Sequence, residues 1–344
     1  MNKKLITPEK LKKGDTIAFV SPSAGLAPFA PHRIEIATKM LEKLGYKVKI
    51  ASNAVKNNDY VSASPIARAS DINKMFADKK VKMIMATIGG NHSNQILKYL
   101  DYNLIRKNPK IFIGYSDNTV LHFALQSQAN LATYYGPCAM TQFGENPQIL
   151  DYTLKYFNYS ISEKQAKKTY SILPSETWTD EILNWFEKED LKRPRKLSKN
   201  HGYEWLRPGK AKGPILGGAV VSLNHLAGTK YWLDPKDTIY FLDIPESSDI
   251  TQGLSLSDVD SLLADLDNLN VFETIKGLII GRPYKYSKAE EKVLKAIVMR
   301  YMHNKKCPIL YNANIGHVDP IVTLRYGSTA ILDSEQNKLE IING

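Results

Sequence analysis

Cysteine is scarce in this chain. Cys138 and Cys307 are the only two in 344 residues, they lie far apart, and neither sits at a zinc-ligand spacing. A disulfide-dense scaffold is excluded, and two reduced thiols in a cytoplasmic protein are expected. Long apolar runs are missing as well. No segment approaches the ~20 residues that span a bilayer. The first twenty-odd residues hold nothing more apolar than Ile17 to Val20, too short for the core of a signal peptide. No membrane association is expected. Acidic residues are outnumbered, 35 against 46 basic ones, for a formal charge of +11. That excess does not read as a nucleic-acid surface. The lysines are scattered, and the denser patch from Lys188 to Lys212 also carries Glu189, Asp190 and Glu204. Finger spacing, a basic zipper and aromatic-basic interleaving are all absent. The same field would draw a small anionic substrate. Gly89-Gly90 belongs to neither a G-x-G-x-x-G fingerprint nor a phosphate loop. With no ligand cluster in view, neither a metal nor an organic cofactor is expected.

What the chain does have is a regular alternation of strand and helix signals. Strands are expected at Thr16–Val20, Tyr46–Ile50, Lys82–Thr87, Ile111–Ile113 and Leu131–Tyr135. Helical periods fall between them, at His32–Leu44, Ser64–Ala77, Asn94–Tyr99 and from Thr119 onward. This order implies an α/β fold with a mostly parallel sheet and helices on both faces. Glycine-rich turns recur at the carboxyl ends of the strands, where open α/β sheets place their ligands. From Pro147 to Gly209 the pattern weakens, with helical fragments expected at Leu150–Phe157 and Trp178–Glu187. Lys192 to Lys199 lacks a core-facing period and reads as a surface loop. The resulting division is an N-terminal domain over 1–165, a linker region over 166–210 and a C-terminal α/β domain over 211–344. The last three strands, near Ile321, Thr329 and Lys338, are expected to form an antiparallel set.

The stretch Lys110–Leu125 carries the first chemical signal. A short apolar strand breaks at Gly114-Tyr115-Ser116-Asp117 and a helix begins directly after it. A serine on such a turn has its hydroxyl lifted above the sheet, and the helix N-terminus behind it offers N–H groups to a developing oxyanion. The G-x-S-x-G pattern is incomplete, because Asn118 stands where a second glycine would. An ordinary capped turn is the competing reading. A nucleophilic serine needs a base and a carboxylate. Of seven histidines, His92 and His317 lie in loops after strands and are the candidates for the base. Asp243 and Glu246, just past a strand in the second half, are candidates for the carboxylate. Gly89 and Gly90 suggest close backbone approach, and an N–H there could serve as an oxyanion donor.

Several segments together resemble one known family. They are SPS at 21–23, TIGGNHSNQILKYLD at 87–101, NPKIFIGYSDNTVLH at 108–122, YYGP at 134–137, GPILGGAVVSLNHLAGT at 213–229, GLIIGRP at 277–283 and NANIGHVDPIVTLRYGSTAILD at 312–333. In this order they resemble the LD-carboxypeptidase family of serine peptidases, and its microcin-immunity branch more than its murein tetrapeptide branch. The resemblance implies a Rossmann-like (flavodoxin-like) N-terminal domain bearing the nucleophile. It also implies a C-terminal α/β domain, with a mixed sheet or small barrel, that supplies histidine and carboxylate. Ser116 looks like the family nucleophile, His317 like its general base, and the N–H groups of Gly90 and Asp117 like its oxyanion hole. A small peptide or an aminoacyl-nucleotide would be the substrate, hydrolysed at an amide near a free carboxylate by a cytoplasmic homodimer. Asn91, His92, Arg282 and Glu246 are candidate substrate contacts, and Trp178, Trp185 or Trp205 could stack on a base.

One residue departs from the family pattern. A glutamate is usual where this chain reads Phe241-Leu242-Asp243. Aspartate is one methylene shorter, so the carboxylate of Asp243 would fall short by roughly 1 Å, a misplacement that can cost on the order of 100-fold in rate. Three outcomes follow: the backbone compensates, Glu246 substitutes, or the chain is a weak or inactive relative that still binds its ligand.

Overall fold

The computed structural model describes residues 5–343 and contains a six-stranded sheet, an eight-stranded sheet and a two-stranded ribbon that pairs Thr177–Trp178 with Ser198–Lys199. The first is built from β1 (Thr16–Val20), β2 (Lys47–Ile50), β3 (Val81–Ala86), β4 (Ile111–Gly114) and β5 (Tyr134–Tyr135). These five run parallel in the order β2-β1-β3-β4-β5, the flavodoxin-like arrangement expected. The inner strands β1, β3 and β4, with β5, are apolar and buried almost throughout, whereas the edge strand β2, Lys-Val-Lys-Ile, is largely exposed. Helices Pro31–Lys43, Pro65–Ala77 and Asn118–Ala129 cover the faces. The topological switch lies between β1 and β3, so a crevice opens at the carboxyl ends of those strands, beside the end of β4.

The intermediate segment supplies β6 (Thr169–Ile172), β7 (Thr177–Trp178), β8 (Ser198–Lys199) and β9 (Glu204–Arg207). The remainder contributes β10 (Lys210–Ala219), β11 (Ile239–Asp243), β12 (Gly277–Gly281), β13 (Ile309–Ala313), β14 (Leu324–Arg325), β15 (Thr329–Asp333) and β16 (Lys338–Ile342). The second sheet is mixed, in the order β6-β16-β15-β10-β11-β12-β13-β9. No pairing among the described residues joins β6 to β9, so it is a sheet and not a barrel. The long strand β10 pairs antiparallel with β15 through Pro214, then parallel with β11 from Ile215 onward.

Three features differ from the sequence expectation. The segment 166–210 is not bare connection, since β6 and β9 form both edges of the second sheet. No helix forms over Trp178–Glu187; Thr179 instead makes a backbone bridge with Asp319, and tertiary pairing overrides the local helical period. The strand near Ile321 does not join the antiparallel pair β15–β16. Its residues Leu324 and Arg325 cross to the first sheet and lie antiparallel against β5.

The surface loop expected over Lys192–Lys199 is also pinned down. Arg195 lies between Glu145 (2.9 Å) and Asp319 (2.7 Å), all three largely buried. Next to it Arg33 pairs with Asp190 at 2.9 Å and lies 4.2 Å from the ring centre of Trp185. Burial opposes the charge on Arg195, yet Asp319 and Glu145 hold its guanidinium above the ordinary value. A buried guanidinium persists only with such partners. The network ties the intermediate segment to helix Pro31–Lys43 and the Glu145 loop of the N-terminal half, and to the loop that carries His317.

Candidate active site

Ser116 adopts a left-handed backbone conformation, φ +62°, which is uncommon for a residue with a Cβ. The turn is held on several sides. The Thr119 hydroxyl donates to the Ser116 carbonyl at 2.7 Å and accepts from the Ala219 N–H at 3.1 Å, so β10 of the second sheet braces the elbow. A Cβ on Gly89 would lie 2.8 Å from both Cβ and Oγ of Ser116, so only glycine lets the β3 turn pass so close.

Asp117 does more than offer a backbone N–H. Its fully buried carboxylate accepts from the N–H groups of His92 (2.9 Å) and Ser93 (2.8 Å), locking the 89–93 turn against the elbow. The same His92 N–H lies 2.9 Å from the Ser23 hydroxyl, and the Ala24 N–H donates to the Gly89 carbonyl. The loops after β1, β3 and β4 therefore form one braced unit. Neither the Gly90 nor the Asp117 N–H meets a protein acceptor among the described residues.

His317 Nδ1 lies 2.9 Å from Asp243 Oδ1. The expected 1 Å shortfall does not occur, and the reason is Gly316. Its φ is +101°, and a Cβ there would fall 1.8 Å from Asp243 Oδ1. The histidine loop runs directly against the shorter carboxylate and closes the gap. Glu246 does not replace Asp243. It lies 3.7 Å from the opposite ring nitrogen, Nε2. That nitrogen is buried and has no hydrogen-bond partner among the described residues, so the bond to Ser116 Oγ is not formed in this state. Catalytic hydrogen bonds of substrate-free enzymes often tighten only on binding. Burial disfavours the imidazolium, but Asp243 and Glu246 together outweigh it and raise His317 to about 9.

Two tyrosines went unnoticed in the sequence. Tyr135, opposite Gly114 in the β4–β5 pair, donates its hydroxyl to Asp243 Oδ2 and accepts the Ser116 N–H at 3.2 Å. Tyr115 sets its ring edge-on to His317 with centroids 4.9 Å apart. The only sequence signal for either was its position at the end of a strand.

The other candidate residues are variously engaged. Asn91 Oδ1 lies 2.7 Å from His225 Nε2, linking the 89–93 turn to the end of the Val220–Asn224 helix. The His92 ring packs against Tyr60 at a tilt of 43°, centroids 4.6 Å apart. Arg282 lies 4.6 Å from the ring centre of Trp178 and donates to Asn200 Oδ1 at 2.6 Å. Burial lowers it to about 10, and no carboxylate pairs with it among the described residues. No three of His, Cys, Asp and Glu gather into a metal-holding group among those residues, and no helix there is long and apolar enough to cross a membrane.

The class that fold and site define is a two-sheet α/β serine hydrolase. Residues 17–136 match the LD-carboxypeptidase N-terminal domain and residues 212–332 match the LD-carboxypeptidase C-terminal domain. The chain belongs to the LD-carboxypeptidase family, as its motifs implied. It is 35% identical to the carboxypeptidase-named YocD of Bacillus subtilis, over 94% of this chain and 95% of that one. To the microcin C7 self-immunity protein MccF of Escherichia coli it is 31% identical, over 96% and 94%. The solved structure of MccF superposes with a TM-score of 0.90, covering 98% of this chain and 99% of the other. The MccF-like protein of Bacillus anthracis gives 0.89 at 35% identity, covering 98% and 100%. Complexes of MccF have been solved with glutamyl sulfamoyl guanosine and with aspartyl sulfamoyl adenosine.

Proposed function

We propose that this family member is an active hydrolase whose catalytic triad is Ser116, His317 and Asp243. Ser116 Oγ attacks the scissile carbonyl as its proton passes to His317 Nε2. The oxyanion is met by the N–H groups of Gly90 and Asp117. His317 then protonates the leaving amine, and water hydrolyses the acyl-enzyme through the same base. Asp243 holds the Nδ1–H tautomer and stabilises the imidazolium. The observation that carries this reading is the 2.9 Å Asp243–His317 contact, which disfavours the inactive alternative raised by the missing glutamate.

The substrate is an amide close to a free carboxylate, in a small peptide or an aminoacyl-nucleotide. The ligands in the MccF complexes favour the second class. Arg282, a nearly buried guanidinium held by Asn200 and Trp178 and without a carboxylate partner among the described residues, suits the anionic end of such a molecule. Asn91 and His92 flank the oxyanion turn and complete the polar lining. A cytoplasmic homodimer is part of the same reading and rests on the family likeness; light scattering on the purified protein tests the dimer. The catalytic assignment is tested with Ser116→Ala. Fluorophosphonate labelling and turnover of aspartyl sulfamoyl adenosine should both vanish while the circular dichroism spectrum stays unchanged. Retained turnover would remove Ser116 from the mechanism.

A further inference from the structure

His317 is flanked by carboxylates on both edges. Asp243 meets Nδ1 at 2.9 Å, as a triad requires, whereas Glu246 stands 3.7 Å from Nε2, the nitrogen that must take the serine proton. The orienting role is already filled by Asp243, which Tyr135 and Gly316 hold in place. Glu246 needs another account.

Its surroundings leave its charge unanswered. Glu246 lies on the loop after β11, closed by a backbone bridge between Glu246 and Gly253. Its side chain is about one-third exposed, at 32%, and His317 is its one ion-pair partner among the described residues. The other groups near Glu246 or the imidazole do not compensate. Tyr115 from the elbow and Tyr284 from the loop after β12 are phenols whose ionisation burial opposes, and the Tyr284 hydroxyl is committed to the Ile250 carbonyl. Tyr135 is bonded to Asp243. Asp319, on the histidine's own loop, adds a further negative charge that Arg195 answers. Two carboxylates thus face one imidazole from opposite ring nitrogens, and no lysine or arginine pairs with Glu246 among the described residues.

We infer that Glu246 is the receptor for an ammonium group carried by the acyl-donor residue of the substrate, so that the enzyme selects aminoacyl conjugates with a free amine. An α-ammonium is attached to the carbon next to the scissile carbonyl. When Ser116 attacks that carbonyl, the ammonium lies in the same small space as His317 Nε2, within reach of Glu246. Pairing has a second effect. One of the two carboxylates that favour the imidazolium is then neutralised, so His317 gives up its Nε2 proton to solvent more readily and more of it is the free base that Ser116 needs. The correct substrate thereby switches on the base that attacks it, whereas an N-acylated one leaves His317 paired with Glu246. This inference rests on the triad reading and narrows its substrate class.

The test compares aspartyl sulfamoyl adenosine with its N-acetyl derivative, on the wild-type chain and on Glu246→Gln. Wild type should favour the free amine in kcat/KM by at least about tenfold, the lower end of what a charge-assisted hydrogen bond is worth. In Glu246→Gln the ratio should fall toward one, and the acidic limb of the kcat/KM profile should move to lower pH. The partly exposed loop position allows the variant to fold, which its melting curve verifies. Equal rates on the two compounds in wild type, or an undiminished ratio in the variant, would overturn the inference. Fluorophosphonate labelling of Ser116 separates the two levels. Labelling without amine selectivity removes only the role of Glu246, whereas failure to label removes the triad and this inference with it.

Discussion

Tyr135 joins the two halves of the site through Asp243. Its hydroxyl donates to Asp243 Oδ2 at the end of β11 and receives the Ser116 N–H at the end of β4. One phenol therefore fixes both the carboxylate and the backbone of the serine in the proposed triad. Burial first, and then the charge of Asp243, keeps that phenol protonated far above the ordinary range, so it remains a donor.

Tyr135→Phe removes both bonds and leaves the ring in place. A hydrogen bond to a charged group is worth about 1.5–3 kcal/mol, so kcat should fall by roughly 10- to 100-fold. Steady-state kinetics and the rate of fluorophosphonate labelling should drop together. An unchanged kcat would mean that Asp243 is positioned without the phenol.

Asp243→Glu restores the residue usual in the family but should not improve this enzyme. Gly316 already closes the histidine loop against the aspartate, where even a Cβ would lie 1.8 Å from Oδ1. An added methylene overfills that space at a cost of about 1–3 kcal/mol and displaces His317. Both melting temperature and kcat should fall. A rise in kcat would show that the aspartate is a defect and not a matched fit.

The acidic limb of kcat/KM should lie unusually high. His317 is raised to about 9 in the free protein, so most of the enzyme carries an imidazolium at neutral pH and cannot accept the serine proton. Activity should climb as pH rises and level off near that value. Stability follows the opposite course. Because the folded-state value lies above the ordinary 6.5, the stabilisation from the paired imidazolium is complete below about 6.5 and is lost as pH rises through about 9. Thermal melts across that window, compared with His317→Ala, isolate the effect. A limb near 6.5 would show that the two carboxylates do not raise the base.

Arg195→Ala should weaken catalysis from outside the reacting centre. Removing it leaves Glu145 and Asp319 buried without their shared cation, at a cost of about 3–5 kcal/mol. Asp319 is two residues from His317, so kcat should fall more than KM rises. Arg195→Lys, which keeps the charge, should recover part of both losses. If stability drops and kcat does not, the network serves the fold alone.

How far the sequence disclosed this site depends on how local each signal is. Ser116, Gly90 and His317 lie in short turns whose glycines and flanking strands can be read within a dozen residues, and the β2-β1-β3-β4-β5 order follows from the same alternation. Asp243 was legible as a strand-end acid, but its fit was not, because the compensation sits in Gly316 on a different strand's loop. Tyr135 looked like any buried strand tyrosine, since its partner Asp243 is 108 positions away. Arg195 looked solvated because it lies in a basic run, whereas its burial is decided by Glu145 and Asp319, 50 and 124 positions distant. Long-range charge pairing leaves no periodic trace.

The crossing of Leu324–Arg325 into the first sheet sets a rule for exchanging parts among relatives. A fragment that stops before residue 211 would leave β5 with a bare hydrogen-bonding edge, an invitation to aggregate. Chimeras made to trade specificity therefore cannot be cut as two beads on a string. The donor of the histidine loop also supplies the strand that seals its neighbour, and the two surfaces must be transplanted as a matched pair.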